Sequence, residues 1–203
     1  MANNKRIVSL PRAIALDLLN SIFVKKRTLD QAIFTCKTFD TLTPADKGFA
    51  RLLTVTVMRR AGQIDNIIKS FLRKGMPRGA RDFENILRIA CAEILFLDGK
   101  NHAAVDTAVT LVEAKKLPHL KGLANAVLRR LANEGKRKLR GVPVRLNYPN
   151  WLIDSWTQHY GSAKARKIFE ICVQEPMLDI SVKSDPSYWA KRLDGQVLAS
   201  GSI

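Results

Sequence analysis

Nucleophilic or metal chemistry in this chain would have to come from three cysteines and three histidines, and their spacing supports neither. Cys36, Cys91 and Cys172 are far apart and never form a CxxC pair, so they read as reduced thiols of a cytoplasmic protein. His102, His119 and His159 are equally scattered, so no metal site can be assembled. No G-x-G-type turn joins a strand to a helix, which leaves no cofactor cradle within the chain. What the residue types can do in number is hold phosphate. There are 34 Lys and Arg against 18 Asp and Glu, a formal net charge of +16. A surplus of that size costs self-repulsion unless an anionic partner offsets it.

The distribution of that charge says more than its size. Residues 1–141 carry 27 Lys/Arg against 12 Asp/Glu, a net +15, whereas residues 142–203 carry 7 against 6, a net +1. Counterion release favours a polyanion there without special geometry. An anionic membrane surface is the rival, but no helix joins a Lys/Arg face to a bulky aromatic face. No transmembrane span is expected either, because Arg12, Asp17, Arg88 and Glu93 break the apolar stretches well short of ~20 residues. Lys5 and Arg6 could open an export signal, but Arg12 and Asp17 interrupt the apolar segment such a signal needs.

The elements that must present this charge are helices. Pro11 suits a helix start, and Ile14, Ala15, Leu18, Leu19 and Ile22 follow at helical spacing. Thr28 caps a second helix, and Thr43-Pro44 with Asp46 opens a third. Gly62 is expected to end that third helix, with Ile64, Ile67, Ile68 and Phe71 forming a fourth. Lys74 to Arg81 is a basic turn, by its Gly75, Pro77 and Gly79. The cleanest stripe follows, in Phe83, Ile86, Leu87, Ala90, Ile94 and Leu97. Asn101 caps the next helix, and a last one starts near Pro118 and ends before Gly135. The fold class is therefore mainly α, a bundle of about seven helices over residues 1–135.

The texture then changes. Residues 136–149 are basic, carry Gly141, Pro143 and Pro149, and read as a linker. Beyond it Trp151, Leu152, Trp156 and Tyr160 mark one short helix, and Ala165, Ile168, Ile171 and Cys172 a second. Leu178, Ile180 and Val182 alternate with polar residues as a strand does, Asp185-Pro186 caps another short helix, and Gln196 to Leu198 suits a second strand. Residues 150–203 thus read as the beginning of a small α+β subdomain.

Two stretches resemble a known family. H-A-A-V-D-x-A-V (His102 to Val109) followed by N-A-V-L-R-R (Asn125 to Arg130) resembles the NusB-type helical domain. It is most similar to the version fused to ribosomal RNA small-subunit methyltransferase B, the Sun/Fmu family. Y-P-N-W-L-I-D-S-W-T-Q-H-Y-G (Tyr148 to Gly161) resembles the segment joining that family's helical domain to its methyltransferase half. The strand-like Leu178 to Lys183 sits where the family shows an L-x-L-R-V-N pattern, from which Ser181 and Lys183 depart. The resemblance implies an RNA-binding region leading to a Rossmann-like domain that is not in this chain. That domain would use S-adenosylmethionine and a cysteine pair to methylate a cytosine at C5 in 16S ribosomal RNA.

The resemblance also implies which residues meet RNA. The resembled bundle uses a basic N-terminal region, matched here by Lys5, Arg6 and Arg12. Arg78 and Arg81 stand in the Gly/Pro turn, where backbone and side chains can both approach phosphate. Arg129 and Arg130 follow N-A-V-L on the last helix. Each alone is equally a solvated helix face. Cys36, in T-C-K, superficially matches a family cysteine context, but no cofactor domain surrounds it, and Cys91 and Cys172 read as core. His102 reads as a cap partner and Asn125 as a buried hydrogen-bonding residue, so no catalytic residue is expected. With phenylalanines mostly in core stripes, shape and phosphate recognition are expected over base reading. Partners are then ribosomal RNA and, in the alternative of a NusB-type antitermination adaptor, also a ribosomal-type protein.

Overall fold

In the computed structural model, which describes residues 9–97 and 99–203, every regular element is helical. The helices are α1 (Leu10–Phe23), α2 (Leu29–Phe34), α3 (Pro44–Phe71), α4 (Arg81–Phe96), α5 (Asn101–Ala114), α6 (Lys121–Leu139), α7 (Asn150–Tyr160), α8 (Ser162–Cys172) and α9 (Pro186–Leu193). Three 3-10 turns join them at Lys37–Phe39, Pro118–Leu120 and Val144–Asn147. The chain divides into two compact units between Val173 and Gln174.

The first unit is built around α4. That helix buries Phe83, Ile86, Leu87, Ala90, Ile94 and also Ile89, Cys91 and Ala92, so it is apolar nearly all round. A helix of that kind has to be surrounded, and α1, α3, α5 and α6 pack on it. Local chemistry sets the starts of its neighbours. Thr28 and Gln31 form a reciprocal capping box on α2, and Thr43 Oγ1 accepts from the Asp46 N–H at the start of α3. Helix α5 begins at Asn101 itself, with Lys100 at the cap and no side-chain capping bond.

Two glycines behave differently from expectation. Helix α3 runs unbroken through Gly62, which merges the expected third and fourth helices and leaves six α-helices up to Leu139 rather than seven. A Cβ on Gly62 would lie 1.8 Å from the Leu146 carbonyl oxygen, so the missing side chain is where the chain after the bundle docks. Gln63 secures that dock. Its backbone N–H donates to Asn147 Oδ1 (2.9 Å), its Nε2 donates to the Val142 carbonyl (3.0 Å), and Asn147 Nδ2 donates to its Oε1 (3.0 Å). Gly135 lies inside α6, buried, where a Cβ would meet Leu95 Cδ2 at 2.9 Å. Both glycines serve close packing rather than helix termination.

Helices α7 and α8 form a hairpin with its own small cluster. Trp156 stacks on Phe169 at 5.2 Å, Tyr148 lies 4.5 Å from the same ring, and the Tyr148 hydroxyl donates to the Phe169 carbonyl at 2.9 Å. The aromatic spacing of Tyr148 to Gly161 is thereby explained in part by packing. Trp151 of the same stretch points outward, 70% exposed.

The expected α+β character is not observed. Among the described residues there is no strand, and the second unit holds only α9, capped by Asp185, whose carboxylate accepts from the Tyr188 N–H. Ile180 and Ile203 exchange both backbone hydrogen bonds (2.8 and 3.0 Å), but this single pair does not propagate into a ladder. Leu178, expected to face a core, is 82% exposed. Alternation marks strand potential, and a strand needs neighbours to bury one of its faces.

Candidate nucleic-acid interface

The basic turn after α3 owes its shape to two glycines with left-handed backbone, Gly75 (φ 73°) and Gly79 (φ 75°), on either side of Pro77. It presents Arg73, Lys74, Arg78 and Arg81 outward, and none of the four pairs with an acid among the described residues. Helix α6 packs against α3 beside this turn. Its consecutive Arg129 and Arg130 point to different faces, because neighbours in sequence are about 100° apart around a helix.

Arg130 faces the turn. Its guanidinium sits 5.2 Å over the Phe71 ring and 3.8 Å from Glu134, one helical turn on. Lys138 lies over the same ring at 4.7 Å and donates to Ser70 Oγ at 3.3 Å. Between α6 and the turn runs a cleft of about 570 Å³, with Leu72, Pro77, Leu123 and Ala126 on its floor and Arg73, Lys74 and Arg130 at its rim. The sequence reasoning missed Arg73 and Lys138. The separation of eight residues between Arg130 and Lys138, which puts both on one α6 face, was the available signal.

Arg129 faces a different groove, of about 1570 Å³, between α5 and α6. His102 and Asp106 line one wall, and Asn125, Arg129 and Asn133 the other. The two halves of the first motif therefore meet across this groove. Asn125 is half-buried rather than fully buried, and His102, expected as a cap partner, is exposed on a helix whose start has no side-chain capping bond. Acids share this groove: Asp106 and Glu113 line it, and Glu113 pairs with Lys121. Its lining is mixed in charge, whereas the charged residues lining the cleft beside the turn are cations, with Glu134 next to one of them, Arg130.

The remaining expected contacts are distributed otherwise. Lys5 and Arg6 lie outside the described residues. Arg12 turns inward: its Nε donates to Glu93 Oε2 at 2.9 Å, a second nitrogen pairs with the other carboxylate oxygen, and Phe49 lies 5.0 Å beneath the guanidinium. With side-chain exposures of 18% for Arg12 and 5% for Glu93, this is a buried, two-pronged ion pair. Arg88 is likewise absorbed. Burial pulls its pKa down, but the Asp65 hydrogen bonds (2.7 and 2.8 Å) and the Asp65 and Glu84 charges outweigh that and raise it. Burial lowers the pKa of Arg60, which sits over Phe96 and donates to Gln63 at the Gly62 dock.

The three thiols stand apart and differ in access. Cys91 is fully buried, and desolvation pushes its pKa far above the ordinary 9.0. Cys36 is half-buried just past α2. Cys172, expected to pack beside Ile168, is exposed at the end of α8. Among the described residues no group of His, Cys, Asp or Glu could hold a metal ion, and no helix is long and apolar enough to cross a membrane.

Residues 9–133 match the NusB family. This chain belongs to that family. Among curated relatives, the probable ribosomal RNA small subunit methyltransferase B of Synechocystis sp. is 27% identical over 179 residues, covering 84% of this chain and 40% of that protein. Ribosomal RNA small subunit methyltransferase B of Thermus thermophilus is 38% identical over 122 residues, covering 57% of this chain and 27% of the relative. The alignments fall in the N-terminal part of such relatives, so the NusB-family chain described here spans two-fifths of their length or less. Among solved structures, NusB of T. maritima superposes with a TM-score of 0.55 at 23% identity, covering 66% of this chain and 94% of that one, a likeness of fold alone.

Proposed function

We propose that this NusB-family region is the RNA-binding, targeting part of a 16S ribosomal RNA cytosine-C5 methyltransferase. The cofactor S-adenosylmethionine and the transfer chemistry would belong to a further domain. The observation that carries the reading is the reach of the Synechocystis match. A match covering 84% of this chain cannot fit inside residues 9–133, so it takes in residues beyond the NusB bundle. An antitermination adaptor needs nothing beyond that bundle. The unpaired cations of the turn and the concentration of charge in residues 1–141 support RNA as the ligand. In this reading Arg78, Arg81 and Arg130 meet phosphate, together with Lys5 and Arg6. Arg129 contributes from the α5–α6 side. Arg12 holds α1 to α4 through Glu93 rather than touching RNA.

Division of labour between a binding region and a catalytic domain suits a reaction at a base. The target has to leave its stack, and contacts to the surrounding backbone hold the RNA while it does so. The test is binding of the chain to a small-subunit ribosomal RNA fragment across salt. If five phosphates are engaged, the log–log slope is about −3.5 to −4.5, and Arg78→Glu/Arg81→Glu weakens binding while making the slope shallower. Absence of measurable binding at low salt overturns the proposal. Equal binding to the RNA and to a ribosomal-protein partner, with a stop directly after Ile203 in the coding sequence, would instead favour the adaptor.

A further inference from the structure

The cleft between α6 and the turn combines features that a general phosphate-binding surface does not need. Its floor is apolar, from Leu72, Pro77, Leu123 and Ala126, while its rim residues with charge are all cations: Arg73, Lys74 and Arg130. A surface that only screens phosphates has no use for an apolar floor. A surface for an apolar peptide has no use for a rim of cations. A ligand that satisfies both halves has a flat apolar part and an anionic part a few ångströms away. At about 570 Å³ the cleft is in the range of small-ligand sites and far larger than a lone phosphate requires.

We infer that this cleft is a subsite for one unstacked nucleotide of single-stranded RNA, an inference that rests on the RNA-binding reading above. The base lies on Pro77, Leu123 and Ala126, and its phosphate sits between Arg130 and the Arg73–Lys74 pair. Charge complementarity favours a polyanion over an acidic peptide. Arg78 and Arg81 extend the cationic path from one end of the cleft, and Arg137 and Arg140, both exposed, continue it along α6. The rim is also set in advance. Arg130 and Lys138 both rest on the Phe71 ring, so less side-chain freedom is lost when an anion binds. Apolar side chains make no hydrogen bonds to base edges, so the subsite selects unpaired nucleotides rather than a sequence.

The test uses the whole chain and a fluorescein-labelled twelve-nucleotide single-stranded RNA of mixed sequence, its perfect duplex, and the same strand made of abasic sugar-phosphate units. Ala126→Trp fills the exposed floor without changing charge. Loss of one base contact of the usual strength weakens single-strand binding about tenfold, while binding to the abasic strand and the salt slope stay as they were. Arg130→Gln is the second variant, should the tryptophan perturb folding. It lowers affinity for all three RNAs and makes the slope shallower by about 0.7 on a single strand. If the wild type binds the single strand and Ala126→Trp binds it equally well, the subsite is overturned and RNA binding stands. If the wild type binds none of the three RNAs, the RNA reading itself falls. A phenylalanine-containing poly-glutamate peptide that displaces the RNA and binds more tightly assigns the cleft to an acidic protein segment and overturns the nucleotide subsite.

Discussion

Replacing Gly62 by alanine separates two accounts of why a glycine stands in the middle of a 28-residue helix. Helix propensity alone makes the substitution stabilising by up to about 1 kcal/mol. Packing makes it destabilising. The new Cβ would lie 1.8 Å from the Leu146 oxygen, and real Cβ contacts under 3.0 Å are essentially never seen, so the Leu146–Asn147 backbone has to retreat by more than 1 Å. That motion breaks or stretches the three hydrogen bonds between Gln63 and the Val142 and Asn147 groups. At about 0.5–1.5 kcal/mol net for each bond, the loss is about 2–4 kcal/mol. After the propensity gain, a net destabilisation of about 1–3 kcal/mol remains. Gly48 is the internal control, because it lies on the same helix with nothing within 4 Å of an added Cβ. Gly48→Ala is expected to stabilise by about 0.5–1 kcal/mol. Urea unfolding of the whole chain, followed by far-UV circular dichroism, reads both. A Gly62→Ala protein as stable as the wild type, or more stable, would refute the docking argument.

The buried pair of Arg12 and Glu93 makes a parallel expectation: Arg12→Ala strands a carboxylate that is 5% exposed, and the chain loses about 3–5 kcal/mol in urea unfolding. Arg12→Met combined with Glu93→Leu recovers most of that loss, whereas a loss under 1 kcal/mol for Arg12→Ala alone would mean its charge is free for RNA after all. For the thiols, a disulfide reagent applied to the native protein should modify Cys172 readily, Cys36 more slowly, and Cys91 only after unfolding. Cys91 also sets a pH dependence, because its folded pKa is raised above the unfolded value. Its contribution to stability is complete below the ordinary 9.0 and declines as pH rises above it, by up to about 1.4 kcal/mol per pH unit. A Cys91→Ala variant with the same alkaline slope as the wild type would count against this.

Wherever one helix face meets one core, the sequence was a sufficient guide. The stripe on α4, the capping residues Thr28, Thr43 and Asp185, and the Gly/Pro turn after α3 are all local patterns with local causes. What escaped it was non-local. Gly62 and Gly135 look like punctuation in a one-dimensional reading, because the space of the missing side chain is taken by backbone 84 residues further on in one case and by the Leu95 side chain of another helix in the other. The Leu178–Val182 alternation met the opposite problem, a pattern that among the described residues pairs only at Ile180, with Ile203. The site was legible as a composition, but its two faces were not. Only the helix axis tells Arg129 from Arg130, and only tertiary contact consumes Arg12.

That consumption bears on how a net charge should be interpreted. An ion pair removes one charge of each sign, so pairing inside the bundle cannot reduce the surplus of +15 over residues 1–141. It concentrates it. Glu93 is spent on Arg12, and Asp65 and Glu84 on Arg88. Twelve acids stand against 27 bases in this part of the chain, and burial of Glu93 with Arg12 leaves the surplus on the outer surface. Arg73, Lys74, Arg78 and Arg81 on the turn and Arg137 and Arg140 on α6 are exposed; Glu134 lies 4.0 Å from Arg137, and the turn residues pair with no acid among the described residues. The surplus of the composition is therefore carried on the surface, and the turn beside the cleft holds part of it unpaired. Arg12→Met combined with Glu93→Leu removes one charge of each sign from the interior, so titration of labelled RNA should give this double variant the wild-type affinity and salt slope, and a shallower slope would mean that Arg12 meets phosphate after all.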